Sequence, residues 1–206
     1  MNVYGGTAAT AASSVDAYLA SLPRGIASYP ECQHKGEPLD VWLHRSPTRD
    51  LARLVPPQVA VLLDRNRPIP NWVPDVHANA LYLAMRQAHF ADDAAFLAHA
   101  REVNRAVLET PANRLLFWAA SPRGMMRAAG VRWGSLHRGS TLEVRAAREL
   151  SVDVTLSFPR ALYPELILRA NATGFALVLE NAGARDVEMQ LRTVTQTHGF
   201  FTGRWR

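Results

Sequence analysis

Cys32-Gln33-His34, with His44 close behind, supplies thiol and imidazole groups of the kind that bind zinc. Zinc sites of this type carry two close ligand pairs, and the second pair is missing, which argues against zinc. Cys32 is the only cysteine, so no intrachain disulfide forms. With His34 and Lys35 beside it the thiol is either activated or, as for most lone cysteines, inert. His77, His89 and His99 fall in helical stretches, and His89 and His99 flank Asp92-Asp93. A histidine beside a carboxylate can act as a general base. Asp92 has a structural task as a helix cap, which together with surface exposure accounts for the group. Gly-x-Ser-x-Gly, Gly-x4-Gly-Lys, Gly-x-Gly-x2-Gly and His-Glu-x2-His are all absent, so nothing positive points to an enzyme or names a catalytic residue. The aromatic residues Trp118, Trp133, Phe158 and Phe175 lie where helices and sheet should meet. Such side chains fill a core or line an apolar ligand pocket, and sequence does not separate the two.

These residues must be positioned by elements with two different periods. Ser13-Ser14-Val15-Asp16 resembles a capping box and opens a short helix through Leu22, ended by Pro23 and Gly25. Up to Asn71 the chain is punctuated by prolines and reads as irregular, with one or two helical turns over Val59 to Leu63. Pro74 then introduces a helix with Val76, Ala80, Leu83 and Gln87 on one face. Asp92 caps the next, in which Phe96, Ala100, Val103 and Val107 repeat at helical spacing. Thr110-Pro111 and Ser121-Pro122 each place a hydroxyl cap before a first-turn proline, and the second of these helices is expected to stop at Gly130. The period then changes to two. Leu142, Val144 and Ala146 alternate with polar residues, as do Val152, Val154, Leu156 and Phe158. Leu162 to Asn181 reads as helix with Gly183 as its left-handed terminator, and strands follow around Val187–Thr193 and Phe200–Trp205.

The expected fold is α+β, a mainly helical N-terminal two-thirds packed on a C-terminal ββαββ four-stranded antiparallel sheet. Residues 1–14 form a flexible start and residues 15–206 a single domain. Within it, 15–71 is an irregular, proline-rich wrap or arm, 72–130 a helical layer and 131–206 the ββαββ unit. The length of 206 residues and 48% hydrophobic content suit such a domain and exclude a disordered or collagen-like chain. All but one of the 23 basic residues are arginine, in a net charge of +5. They are scattered without the dense stripe that nucleic-acid binding draws on, and reflect coding composition more than function. No signal-like start and no apolar run of about 20 residues is present, so a cytoplasmic location without a membrane span is expected.

Ser121-Pro122-Arg123 through Trp133, His137-Arg138-Gly139, Ser157-Phe158-Pro159 and the phrase Gly174 to Ala184 occur in this order before a close near Trp205. Together they resemble a group of uncharacterised bacterial proteins related to the 4-vinyl-reductase and haem–NO-binding superfamily, which includes subunits of a vesicle-tethering complex. The resemblance covers roughly the last half of the chain. It implies a helical layer over a small antiparallel sheet, an apolar pocket that can hold haem, a lipid chain or a small effector, and frequent dimerisation. The haem branch carries an axial helix histidine and a Tyr-x-Ser-x-Arg clamp. At the clamp position this chain reads Thr155-Leu156-Ser157-Phe158-Pro159-Arg160, without the tyrosine and with the arginine displaced by one, which argues against haem. The function expected is a non-enzymatic small-molecule-binding or regulatory domain, with Trp118, Trp133, Phe158 and Phe175 around a hydrophobic ligand. A protein-interaction module forming dimers or joining a complex is the alternative, and a nucleic-acid contact the third reading.

Overall fold

The computed structural model describes residues 13–109, 121–147 and 149–206. Trp118 and the Thr110-Pro111 start lie outside the described residues. Helix α1, Ser14–Ser21, begins at the cap expected of it: the Ser13 hydroxyl oxygen accepts the Asp16 amide at 3.1 Å. Helix α4, Asp75–His89, buries Val76, Ala80, Leu81 and Ala84 along one face. Helix α5, Asp93–Leu108, starts under Asp92, whose carboxylate accepts the Ala95 amide at 2.8 Å. It buries Phe96, Ala100 and Val103.

The C-terminal part is the antiparallel sheet and long helix that the alternation predicts. Strands β4, Thr141–Ala147, and β5, Ser151–Ser157, pair as neighbours. Helix α7, Glu165–Asn181, then crosses to β6, Glu188–Val194, and β7, His198–Arg204. The order across the sheet is β4-β5-β7-β6. Helix α7 ends at Gly183, where φ is +96°. Apolar side chains from Val15 to Trp205 join in one connected core between the helices and this sheet. Among the described residues no helix is long and apolar enough to cross a membrane.

Four local readings differ from the structure. Helix α6, Pro122–Leu136, runs past Gly130. A Cβ at Gly130 would lie 2.7 Å from the Leu142 carbonyl oxygen, so this glycine lets α6 press on β4 and does not end the helix. Helix α7 starts three residues later than expected, because Tyr163 precedes Pro164 and is driven toward extended backbone. Within the proline-rich stretch the chain forms α2, Gly36–Arg45, which buries Leu39, Trp42 and Leu43. Pro38 sits in its first turn, where the missing N–H has no helical partner to lose. The short helix α3, Pro57–Ala60, follows between two 3₁₀ turns.

The fourth difference is a second sheet. Strands β1, Gln33–Lys35, β2, Trp72–Pro74, and β3, His137–Arg138, pair antiparallel in the order β2-β1-β3. In register, Val73 and His137 both lie opposite His34. Side chains alternate across a strand, so these three share one face. On the other, Arg138 and Lys35 lie over the Trp72 ring, at 3.8 and 4.4 Å from its centre.

Candidate functional site

Strand β2 runs directly into α4, so Asp75 stands at the first residue of a helix, where the backbone dipole favours a carboxylate. The residue is only 1% exposed. Its Oδ1 accepts from His34 Nδ1 at 2.9 Å and its Oδ2 from the Tyr163 hydroxyl at 2.9 Å. The Tyr163 oxygen is 3.5 Å from Ser140 Oγ, which accepts the Trp133 indole N–H at 3.0 Å. Because Tyr163 spends its proton on Asp75, Ser140 donates to Tyr163. The donors therefore run in one direction, Trp133 to Ser140 to Tyr163 to Asp75, and His34 reaches the same carboxylate from the other side. Burial, with the Asp75 charge second, keeps the Tyr163 phenol protonated far above its ordinary range.

The far ends of this arrangement are unsatisfied. His34 Nε2 and His137 Nδ1 are buried and have no hydrogen-bond partner. The two rings are 6.0 Å apart, centre to centre, and His137 stacks flat on Trp133 at 3.7 Å. Burial pulls the His137 pKa from its ordinary 6.5 to about 3, against the pull of Asp75, with His34 adding to the lowering. The unfolded chain thus takes up this proton below pH 6.5, while the folded one resists until about pH 3. Stability carried by the neutral ring is complete above pH 6.5 and declines as pH falls toward 3, by up to about 1.4 kcal/mol per pH unit. Urea unfolding at pH 7 and pH 5 should show a steeper loss in the wild type than in His137→Gln. Parallel losses would disprove the buried neutral ring.

Both histidines face a pocket of about 460 Å³ between the small sheet and helices α2, α4, α5, α6 and α7. Its wall is largely apolar, built from Trp42, Phe96, Met125, Met126, Trp133, Ile167, Phe175 and Val178. Lys35 and Arg132 also line it, as do Asp75 and Tyr163. Of the aromatic residues singled out from sequence, Trp133 and Phe175 are in this wall. Phe158 is not; it follows the end of β5 and packs edge-on against the wall residue Tyr163, 5.1 Å between ring centres.

The other sequence candidates do not assemble. The Cys32 thiol is fully buried, lies 3.4 Å from the Gly139 carbonyl and is pushed up to about 12 by burial, then by Asp75 and Glu31, so it is held as an unreactive thiol. His44 bonds within its own helix to the Asp40 carbonyl at 2.8 Å, so Cys32, His34 and His44 form no common site. His89 bonds the Arg49 carbonyl and His99 the Ser46 hydroxyl. Sequence reading missed Asp75, Tyr163 and Ser140, and did not connect His34 with His137. A Pro-Asp step into a helix and two isolated histidines were the only local signals.

No protein-family model and no curated protein sequence matches the chain. Solved structures do. The Fe(II) unliganded H-NOX protein from K. algicida matches with a TM-score of 0.60 at 11% identity, over 84% of this chain and 96% of that one. A mutant of T. tengcongensis H-NOX matches with 0.55 at 10% identity, over 84% and 97%. A structure solved to probe haem distortion in the H-NOX family matches with 0.52 at 13% identity, over 84% and 95%. At these identities the likeness establishes the fold. It corrects the sequence resemblance in two respects: the similar structures are H-NOX domains, in place of 4-vinyl reductases and tethering subunits, and the likeness spans most of the chain and not its C-terminal half. It also overturns the argument against haem, since the chain shares its fold with H-NOX structures solved to study haem distortion, and the missing Tyr-x-Ser-x-Arg clamp alone excludes nothing.

Proposed function

We propose that this protein is a small-molecule-binding domain of sensory type, holding an apolar ligand in the 460 Å³ pocket with its polar part toward His34 and His137. The observation that carries this reading is the pairing of a mostly apolar pocket with two buried, unpartnered imidazole nitrogens at its wall. Ligand sites have this composition, ~300–1,000 Å³ of apolar lining with a few placed polar groups. Buried polar atoms left without a partner are rare and call for a ligand, ion or water.

The residues present fit haem. His34 and His137 supply nitrogen donors, the aromatic and methionine side chains suit a flat apolar body, and Arg132 suits an acidic group on it. Haem, when bound, supplies an iron that takes up a small gas molecule. The chain's own part is to keep His34 oriented through Asp75, to exclude water with Trp42, Phe96 and Phe175, and to place Arg132 at the pocket wall.

Native mass spectrometry of gently purified protein, with a hemin titration followed by absorption, tests the reading. A bound mass or saturable hemin binding is expected in the wild type, and at least a tenfold loss in Ala129→Phe, which fills the pocket from α6. A bare polypeptide mass together with no saturable uptake of hemin would overturn it.

A further inference from the structure

We infer that His34 and His137 form a binding site for one divalent transition-metal ion. The inference uses the same pocket as the function proposed above but does not need an apolar ligand there. The two residues are direct cross-strand partners in the β1–β3 ladder, which brings their Cβ atoms to ~4.5–5.5 Å on one face. Their ring centres are 6.0 Å apart, and each ring keeps one buried nitrogen without a partner. Two orphaned nitrogens on neighbouring rings are served together by a single acceptor of lone pairs.

The surroundings are those of a metal-bound histidine. A ligating imidazole donates its second N–H to a carboxylate, which fixes the ring and raises its basicity. His34 does this to Asp75, and Asp75 is fixed in turn by Tyr163. His137 is held by its flat stack on Trp133. Neutral imidazoles suit zinc, copper, nickel and iron, and not magnesium or calcium. Among the described residues no third histidine, cysteine or carboxylate joins the pair. The remaining coordination positions therefore face the pocket, open to water or to a donor atom of a bound molecule. Porphyrin and a free ion draw on the same nitrogens and exclude one another.

The test is titration of the full-length, chelator-treated protein with Co2+, read by visible absorption and calorimetry, with Zn2+ as competitor. One ion per chain is expected. His34→Gln and His137→Gln should each weaken binding at least tenfold, and the double variant should abolish it. Asp75→Asn should weaken it roughly tenfold, as loss of an outer-shell partner does. His44→Gln, on an exposed side chain outside the pocket, should leave it unchanged. Circular dichroism monitors folding of each variant. No ion on the wild type, or the same affinity in the double histidine variant, would overturn the inference. Loss of hemin uptake with ion binding retained in Ala129→Phe would support it and separate the two readings; a wild type that takes up hemin but no ion would remove this one alone.

Discussion

Asp75→Ala is expected to destabilise the fold by about 2–6 kcal/mol, because it leaves two buried donors without their acceptor. The carboxylate is the terminus of every donor in the cluster, so its removal strands the His34 Nδ1–H and the Tyr163 hydroxyl in a dry interior. Each abandoned donor carries a desolvation penalty of ~1–3 kcal/mol. Asp75 also joins β2 to α4, and its amide donates to the Cys32 carbonyl at 2.9 Å, so the loss falls where the small sheet meets the helical layer. For a chain of this length the change is a fall in Tm of roughly ten degrees. Asp75→Asn should cost less, because the amide oxygen still accepts one donor while its NH2 opposes the other. Urea or thermal unfolding measures both. A loss below about 1 kcal/mol for Asp75→Ala would show that solvent reaches the cluster.

Gly139→Ala should be as damaging, through backbone geometry. Gly139 adopts φ +73°, a left-handed conformation that a Cβ disfavours by roughly 1–2 kcal/mol. The added Cβ would also collide with Cys32 Sγ and stand 2.9 Å from Cys32 Cα. The sulfur can be trimmed but the Cα cannot, because Cys32 leads straight into β1. A total loss of about 3 kcal/mol or more is expected, concentrated on the β1–β3 pairing that sets His34 opposite His137. Cys32→Ala combined with Gly139→Ala should recover the sulfur part of the loss and no more. Wild-type stability in the single variant would mean that β3 can move away from β1 freely.

What could be read from sequence was whatever repeats. Helices α4 and α5 show several turns of apolar spacing, and β4 alternates over residues 141–146 and β5 over 151–157, so their period is visible without a structure. Caps at Ser13, Asp92 and Ser121 are local events between residues three apart and were equally visible. The small sheet was not, since strands of two or three residues complete no period and are held by partners a hundred positions away. Helix α2 was hidden by Pro38, which reads as a breaker unless the first turn is known. Trp133 and Phe175 could be marked as interior aromatics, but whether a void lies beside them depends on how five helices meet. The buried polar cluster was the least legible part. Asp75 and Ser140 are surface types by composition and Tyr163 an intermediate one, and only tertiary packing makes them interior.

Trp133 occupies three positions at once: it donates to Ser140, carries His137 on its face and forms part of the pocket wall. An indole so placed is an optical gauge built into the molecule. Its emission responds to the charge on the stacked ring, to the strain of its own N–H bond and to whatever displaces solvent beside it. Occupancy of the interior can therefore be followed by light in the unlabelled chain, and Trp133→Phe isolates this residue's share among the five tryptophans.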